Sequence, residues 1–144
     1  MINRNETYSR LASASTKYRQ LATTFDEFST LAIGDVTAEN FQIKGITAKA
    51  DPATGRTSVT FAGKTICFAF VFSYPRGSAA VGKVVCYLER TYPEPSVEKL
   101  GEFTFNHTGE SSEKFTDNDE LYISGQTGAT YIVLHYLEVA LAKP

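Results

Sequence analysis

Residues 65–74 read TICFAFVFSY and residues 79–92 read AAVGKVVCYLERTY, with the turn sequence PRGS at residues 75–78 between them. Both stretches are rich in β-branched and aromatic side chains, which favour extended strands. Proline and glycine in the connecting segment are typical of a chain reversal. The pattern therefore predicts a β-hairpin. The elements on either side of it in the chain are predicted from this hairpin outward.

The register of this hairpin decides which side chains share a face of the sheet, because neighbouring strand residues point to opposite faces. A turn closed with Tyr74 opposite Ala79 places Cys67 opposite Cys86. In this register one face is bulky and aromatic and carries Ile66, Phe68, Phe70, Phe72, Val81, Val85 and Tyr87. The other face is small and smooth and carries Cys67, Ala69, Val71, Gly82, Val84, Cys86 and Leu88. Both faces are apolar enough to need cover, and the smooth face suits a closely packed helix.

Turn signals on both sides of the hairpin extend it into an antiparallel meander. We predict about five strands, at about residues 39–50, 56–62, 65–74, 79–92 and 99–106. Residues 108–120 are rich in Gly, Ser, Asp and Glu, which predicts an acidic surface loop. A short strand could follow this loop, around residues 121–123.

The segment before the sheet has the periodicity of a long amphipathic helix. Its apolar residues are Tyr8, Leu11, Tyr18, Leu21, Ala22, Phe25, Phe28 and Leu31. We predict a helix over residues 4–33. Asn3 and Glu6 are spaced as a capping pair, and Gly34 provides a stop signal. The alternative is a break at residues 24–27, which could form a second capping box.

The predicted N-terminal helix is longer than the predicted sheet is wide. About 28 helical residues span about 42 Å, whereas five strands about 4.8 Å apart make a sheet about 24 Å wide. Such a helix extends beyond its own sheet, and the apolar side chains of the overhanging part need cover, which a second copy of the chain could provide. The candidate oligomer or partner interface consists of Tyr8, Leu11, Tyr18 and Leu21.

The last part of the chain predicts a second helix, over residues 127–142, packed on the sheet. Its apolar residues at helical spacing are Ile132, Val133, Tyr136, Leu137, Ala140 and Leu141. Thr127 or Thr130 could cap its N-terminus. Because this helix is apolar nearly all round, it should be largely buried, by its own sheet or by a partner. The predicted fold class is α+β, in a single domain over residues 1–144.

Composition and charge argue against several classes of protein. The chain has 144 residues, of which 42% are hydrophobic and 21% charged, with a formal net charge of −2, as in an ordinary globular domain. A pI near 5.7 argues against nucleic-acid binding as a function, because such surfaces usually carry a marked basic excess. A polar N-terminus and the lack of an apolar run of about 18 residues predict a cytoplasmic protein without a membrane partner.

Two motifs resemble functional signatures but have structural explanations. Residues 63–65, Gly-Lys-Thr, end like a phosphate-binding loop, but Ser58 stands where that loop needs its first glycine, and a hairpin turn is favoured. Cys67 and Cys86 could form a disulfide, a redox pair or half of a metal site. Two reduced core thiols are favoured, because cysteine is a common buried residue and disulfides are rare in the cytoplasm.

The titratable residues form no recognisable catalytic or metal-binding set. His107 ends a strand and His135 lies in an apolar helix, without the spacing of a metal pair. The acidic run from Asp117 begins like a calcium-binding loop but has Gly128 where the twelfth-position glutamate belongs. Arg4, Arg10, Lys17 and Arg19 suit the solvated face of an amphipathic helix. We predict no catalytic residue, no cofactor and no metal.

Small size, mild acidity and two apolar sheet faces favour a non-catalytic protein-binding module of the inhibitor, immunity, adaptor or secretion-chaperone type. We expect it to act through a presented surface, with a protein partner and as a homodimer. One alternative is a small-molecule-binding domain or modest enzyme, with a pocket between the aromatic sheet face and the C-terminal helix. That pocket would be lined by Phe68, Phe70, Tyr87 and His135. A further alternative is a structural or assembly subunit of viral or mobile-element origin.

The order of helix, strands and helix in a small acidic chain resembles chaperones of bacterial type III secretion effectors. Those proteins place a helix between their third and fourth strands, whereas residues 73–82 of this chain offer only a turn. The resemblance is therefore one of element order alone, and no motif supports it.

Overall fold

The computed structural model describes residues 3–114 and 120–144. Its elements are helix α1 (Arg4–Val36), strands β1 (Thr47–Asp51), β2 (Arg56–Phe61), β3 (Lys64–Ser73), β4 (Val81–Arg90), β5 (Ser96–Phe105), β6 (Glu110–Lys114) and β7 (Glu120–Tyr122), and helix α2 (Gln126–Leu141). The predicted α+β class, with a long N-terminal helix, an antiparallel sheet and a C-terminal helix, is confirmed. The short strands β6 and β7 make the sheet slightly larger than predicted. The prediction of an acidic surface loop over residues 108–120 is wrong for residues 110–114, which form β6.

Helix α1 begins as the sequence indicates. The Asn3 side chain accepts a hydrogen bond from the Glu6 backbone N–H at 3.2 Å, which caps the first turn. The helix is continuous through residues 24–27, so the alternative of a second capping box is wrong. The Thr24 hydroxyl instead donates to the Gln20 carbonyl at 3.0 Å, as a residue inside a helix does.

Gly34 does not end α1, which continues to Val36. The last turn is held by tertiary contacts that a stop signal in the sequence does not reveal. Val36 is buried in the core, and the Asp35 carboxylate accepts a hydrogen bond of 2.6 Å from the Thr130 hydroxyl on α2. These contacts outweigh the modest helix penalty of a single glycine, about 1 kcal/mol.

The seven strands are arranged in chain order, β1 to β7, and each pairs antiparallel with the next. The prediction of a first strand starting near residue 39 is wrong, since β1 begins only at Thr47. Gly45 has a φ of +87°, a conformation outside the extended region. The chain bends there, and Ile46 turns into the hydrophobic core.

The β3–β4 hairpin has a register one residue away from the predicted one. Ser73 pairs with Val81, Cys67 with Tyr87, and Phe68 with Cys86. The strands are joined by the seven residues between Ser73 and Val81 rather than by a four-residue turn. A shift of one residue exchanges the two faces of a strand, so every facing assignment predicted for β4 is reversed.

The predicted faces are therefore wrong for β4, although they hold for β3. Ile66 and the aromatic residues Phe68, Phe70 and Phe72 share their face with Gly82, Val84, Cys86 and Leu88. The opposite face carries Cys67, Ala69 and Val71 together with Val81, Val85 and Tyr87. The first face combines large side chains on β3 with smaller ones on β4.

Both helices pack on this first face, and not on the predicted smooth face. Phe28 of α1 contacts Phe68 of β3 edge to face at 5.5 Å between ring centroids. Tyr136 of α2 contacts the same Phe68 ring at 5.8 Å. Between α1 and β2, the buried hydroxyls of Ser29 and Thr57 lie 2.5 Å apart and satisfy each other.

Gly101 on β5 allows α2 to approach the sheet closely. A Cβ atom at this position would lie 2.9 Å from the Tyr136 ring, closer than side-chain atoms pack. The N-terminus of α2 is capped at Gly125 without a side-chain hydrogen bond, so the prediction that Thr127 or Thr130 caps it is wrong. Thr130 is used for the hydrogen bond to α1 described above.

The second face of the sheet carries ion pairs instead of a helix. Glu102 lies between Lys83 and Lys99, at 3.0 Å and 2.6 Å respectively. Val71 on the same face is 42% exposed. The prediction that both faces need cover is thus wrong for this face, because charged side chains on β4 and β5 give it a polar surface.

We expect the replacement of Phe28 by alanine to destabilise the fold by about 3–5 kcal/mol, because the ring is fully buried between α1 and the sheet and its removal leaves a cavity. Guanidinium denaturation followed by circular dichroism measures the change. Val97→Ala serves as the control, since Val97 is 66% exposed and should cost less than about 0.5 kcal/mol. Equal losses for the two variants would contradict the assignment of the core.

Candidate protein-interaction surface

The first half of α1, residues 4–20, extends beyond the hydrophobic core, and we call it the arm. In α1, which the structure describes throughout, every buried side chain lies at Leu21 or later. On the arm, Tyr8 is 79% exposed, Leu11 66% and Tyr18 48%. Their spacing of three and seven residues places them along one side of the helix. The arm therefore presents an apolar stripe to solvent.

Tyr74, just beyond the end of β3, holds the arm in place. Its hydroxyl lies 3.3 Å from the Ser13 hydroxyl, and its backbone carbonyl accepts a hydrogen bond of 3.4 Å from the Arg10 guanidinium. Its ring lies 5.2 Å from the Arg10 guanidinium carbon and 5.9 Å from the Lys17 ammonium nitrogen, as in cation–π contacts. The long β3–β4 hairpin thus braces the arm through Arg10, Ser13 and Lys17 and leaves Tyr8 and Leu11 exposed.

Tyr18 joins the exposed stripe to the hydrophobic core. Its ring lies 5.8 Å from the Phe70 ring and 5.5 Å from the Phe72 ring, measured between centroids. Phe70 is in turn stacked on Phe25 of α1 at 5.6 Å. One side of the Tyr18 ring is therefore packed on β3, and the other continues the stripe of Tyr8 and Leu11.

The four residues predicted as an interface divide into two groups. Tyr8, Leu11 and Tyr18 lie on the surface of the arm, whereas Leu21 belongs to the core and is 2% exposed. The sequence pattern does not separate them, because all four repeat at the same helical spacing. The position at which α1 reaches the sheet makes the distinction.

The arm differs in charge from the rest of the chain. Residues 3–20 contain four cations, Arg4, Arg10, Lys17 and Arg19, and one carboxylate, Glu6, which gives a net charge of +3. Residues 21–144 contain ten cations and fifteen carboxylates, which gives −5. A net charge of −2 for the whole chain thus conceals a basic arm and an acidic remainder, residues 21–144, which we call the body.

The bracing by Tyr74 is testable by hydrogen exchange. We expect Tyr74→Ala to increase amide exchange in residues 4–20 by about 5- to 30-fold, since the hydrogen bonds and the two cation contacts together stabilise by about 1–2 kcal/mol. Exchange in residues 21–36 should be unchanged. Tyr74→Phe keeps the ring and should have a smaller effect. Unaltered exchange in the alanine variant would contradict the bracing role.

The residues of the alternative pocket are not brought together. Phe68 is fully buried under both helices, and Phe70 lies beside it on the same face. Tyr87 points to the opposite face of the sheet, paired with Cys67. His135 is on the exposed side of α2, with its ring 4.9 Å from that of Tyr136. Between the sheet and α2, the Phe68 ring packs against the Tyr136 ring.

A groove beside α2 was not predicted. Its apolar section, of about 480 Å³, lies between α2, the segment before β1 and the end of β2, and Ile46, Phe61, His135 and Leu141 are among the residues that line it. An adjoining, more polar section of about 580 Å³ is lined by Asp35, Gln126 and Thr130. Both sections share Ile43, Tyr131 and Leu134. We call the two together the α2 groove.

One signal in the sequence pointed to this groove. Helix α2 is apolar nearly all round, which requires cover on more than one side. The sheet and α1 cover the side that carries Ile132, Val133, Tyr136 and Leu137. Tyr131 and Leu141 remain 50% and 46% exposed on the other side. The location of the uncovered side depends on how α2 is rotated on the sheet, which the sequence pattern does not reveal.

Cys67 and Cys86 are free thiols that point to opposite faces of the sheet. The prediction that Cys67 lies opposite Cys86 is therefore wrong, because the register of the hairpin is shifted by one residue. Burial raises the pKa of both thiols, and for Cys67 the nearby Glu89 carboxylate raises it further. Raised pKa values favour the neutral thiol, which is a poor nucleophile and a poor metal ligand.

We expect both thiols to react slowly with Ellman's reagent in the folded protein at pH 8, because they are buried and protonated. In guanidinium, where burial is lost, both should react at the rate of an ordinary cysteine. A Val97→Cys variant supplies an exposed thiol as the control and should label rapidly without denaturant. Rapid labelling of two thiols in the folded parent would contradict their placement.

Two of the remaining sequence features, Gly63 and His107, lie in connections between strands. Gly63 lies in the tight turn between β2 and β3, where Ala62 and Gly63 both have positive φ, as a two-residue hairpin turn requires. The His107 carbonyl accepts a hydrogen bond of 3.1 Å from the Thr24 hydroxyl, which joins the β5–β6 connection to α1. Asp117 and Asp119 lie outside the described residues.

Within residues 3–114 and 120–144, no group of three or more His, Cys, Asp or Glu side chains is arranged to hold a metal ion. In the same part of the chain, neither helix has the length and apolar character needed to cross a bilayer. Comparisons with protein-family models, curated proteins and solved structures found no match to this chain.

Proposed function

We propose that this chain is a non-catalytic protein-binding module that presents the arm as its binding surface and associates with a second copy of itself. The observation that carries the proposal is the apolar stripe of Tyr8, Leu11 and Tyr18 on a helix that extends beyond its own core. Further support comes from the energetics of the helix, from the charge of the arm and from its bracing.

Exposed apolar side chains on the arm give an energetic reason for association. Burial of a large apolar side chain is favourable by about 1.5–3 kcal/mol, so Tyr8 and Leu11 together leave several kcal/mol of potential stabilisation unused in a single chain. Helices in proteins also gain most of their stability from packing of an amphipathic face, which the exposed stripe of the arm lacks in a single chain. A partner that covers the stripe supplies stabilisation of both kinds.

Charge favours another copy of the chain as the partner. The arm carries +3 and the remaining residues −5, so the arm of one copy and the body of another attract each other. Two identical bodies alone would repel. Contact between arm and body therefore suits a symmetric homodimer, in which the same contact is made twice.

Bracing by Tyr74 lowers the entropic cost of binding through the arm. A surface that is ordered before it meets its partner loses less conformational freedom when it binds. The contacts of Tyr74 with Arg10, Ser13 and Lys17 hold the arm without covering Tyr8 or Leu11. The stripe is thus both exposed and held in a fixed orientation.

The test is the mass in solution by light scattering at micromolar concentration. The parent should have twice the chain mass of 15.8 kDa. The double variant Tyr8→Glu and Leu11→Glu should be a folded monomer, because burial of two carboxylates in an apolar contact is strongly unfavourable. Circular dichroism checks that the variant keeps its helices.

Ser9→Glu with Thr16→Glu is the matched control. Both positions are exposed on the same helix but lie away from the stripe, and the change in net charge is the same. The control should remain dimeric. A parent that is monomeric, or a dimer that both double variants disrupt equally, would contradict the proposal.

A further inference from the structure

We infer that the α2 groove is the site on the second copy that receives the arm, so that each chain of the dimer inserts its arm into the groove of the other. This inference rests on the proposed homodimer and specifies its interface. It follows from three properties that the arm and the groove share: the spacing of their apolar residues, their lengths and their complementary charges.

The apolar residues of the two helices have the same spacing. On the arm they are Tyr8, Leu11 and Tyr18, and on α2 they are Tyr131, Leu134 and Leu141, each set separated by three and then seven residues. In both sets the first and last residues are about half exposed or more. Two helices with apolar residues at this spacing can interlock along one seam.

The lengths also agree. The arm has 17 residues and α2 has 16, which correspond to about 25 Å each at 1.5 Å per residue. The two sections of the groove follow α2 from Gln126 to Leu141, and Ile43 faces α2 in both sections. The groove therefore runs along the whole length of α2, which matches the length of the arm.

The charges of the two surfaces are complementary. Among the described residues that line the groove, Asp35 and Glu138 are acidic, His135 is the only basic side chain, and lysine and arginine are absent. On the arm, Arg4 and Arg19 are exposed cations beside the stripe, while Arg10 and Lys17 are engaged by Tyr74. A groove with carboxylates at its margin attracts a basic amphipathic helix and disfavours an acidic one.

The sheet face that carries Cys67 and Val71 is a less suitable site for the arm. Its apolar residues are interrupted by Lys83, Lys99 and Glu102, which already form ion pairs with one another. That face carries Glu89 and Glu102 as well as the two lysines, and Glu102 already pairs with both lysines. The described lining of the α2 groove has carboxylates and no lysine or arginine, and it therefore suits an arm with a net charge of +3 better.

Three double variants of the full chain test the inference, each with two apolar side chains replaced by glutamate. The arm variant carries Tyr8→Glu and Leu11→Glu, and the groove variant carries Ile43→Glu and Leu141→Glu. The control variant carries Val71→Glu and Val97→Glu, two exposed positions on the other face of the sheet. Light scattering over a concentration series gives the dissociation constant of each.

The arm and groove variants should each dimerise at least about 100-fold more weakly than the parent, because each change places charges in both contacts of the dimer. The control variant should match the parent to within about threefold. Circular dichroism and thermal unfolding check that all three are folded. The changed side chains are all more than a third exposed, so the folded monomer should persist.

Mixing the arm and groove variants provides the decisive measurement. The arm variant has an intact groove and the groove variant has an intact arm, so the mixture can form a heterodimer with one unaltered contact. Capture of the untagged groove variant by a tagged arm variant, well above the self-capture of either, is the expected result. No capture in the mixture would overturn the inference.

The outcomes separate this inference from the proposed function. A groove variant that stays dimeric while the arm variant is monomeric would keep the proposed function and overturn the groove as the receiving site, in favour of a contact between two arms. A monomeric parent would overturn both. Loss of the dimer only in the control variant would also overturn both, and would place the interface on the other sheet face.

Discussion

Four aromatic rings, one from each of four elements, pack around one another at the centre of the molecule, and the positions of both helices depend on them. Phe28 of α1 contacts Phe68 of β3 and Phe103 of β5, and Tyr136 of α2 contacts the same two strand residues, at centroid distances between 5.5 and 6.4 Å. Each ring buries a large apolar area, and edge-to-face contacts add about 0.5–1.5 kcal/mol per pair. Because Phe68 and Phe103 point to one face of the sheet, both helices must lie on that face.

The register of the β3–β4 hairpin determines how this cluster is accommodated. It places Gly82, Val84, Cys86 and Leu88 beside the aromatic residues of β3, so large and small side chains share the helix-covered face. Gly82 lies beneath the Phe105 ring, where a Cβ atom would come within 2.5 Å of the ring. The same register places Cys67 and Cys86 on opposite faces of the sheet, so the two thiols do not face each other across the hairpin.

The surface proposed to bind follows from a difference in length. Helix α1 has 33 residues, about 50 Å, but its buried side chains begin only at Leu21, so the first half of the helix extends beyond the hydrophobic core, with Tyr18 packed on β3. The β3–β4 hairpin is also long, and its Tyr74 reaches the arm and fixes it. Exposure of Tyr8 and Leu11, bracing by Tyr74 and the basic charge of the arm thus arise together. They give a preformed surface whose charge is opposite to that of the body.

The sequence by itself determined the α+β class, the continuous amphipathic pattern of α1 with its Asn3 cap, the meander of antiparallel strands and the exposed position of Tyr8 and Leu11. These features depend on local preferences and on periodicity, which are present in the order of residues. Tertiary structure decided the hairpin register, the helix-covered face, the burial of Leu21, the extension of α1 past Gly34 and the groove beside α2. Register depends on the number of residues in the connection, and rotation of α2 depends on packing against Gly101 and Phe68. Neither leaves a periodic signal, because each is set by contacts between residues far apart in the chain.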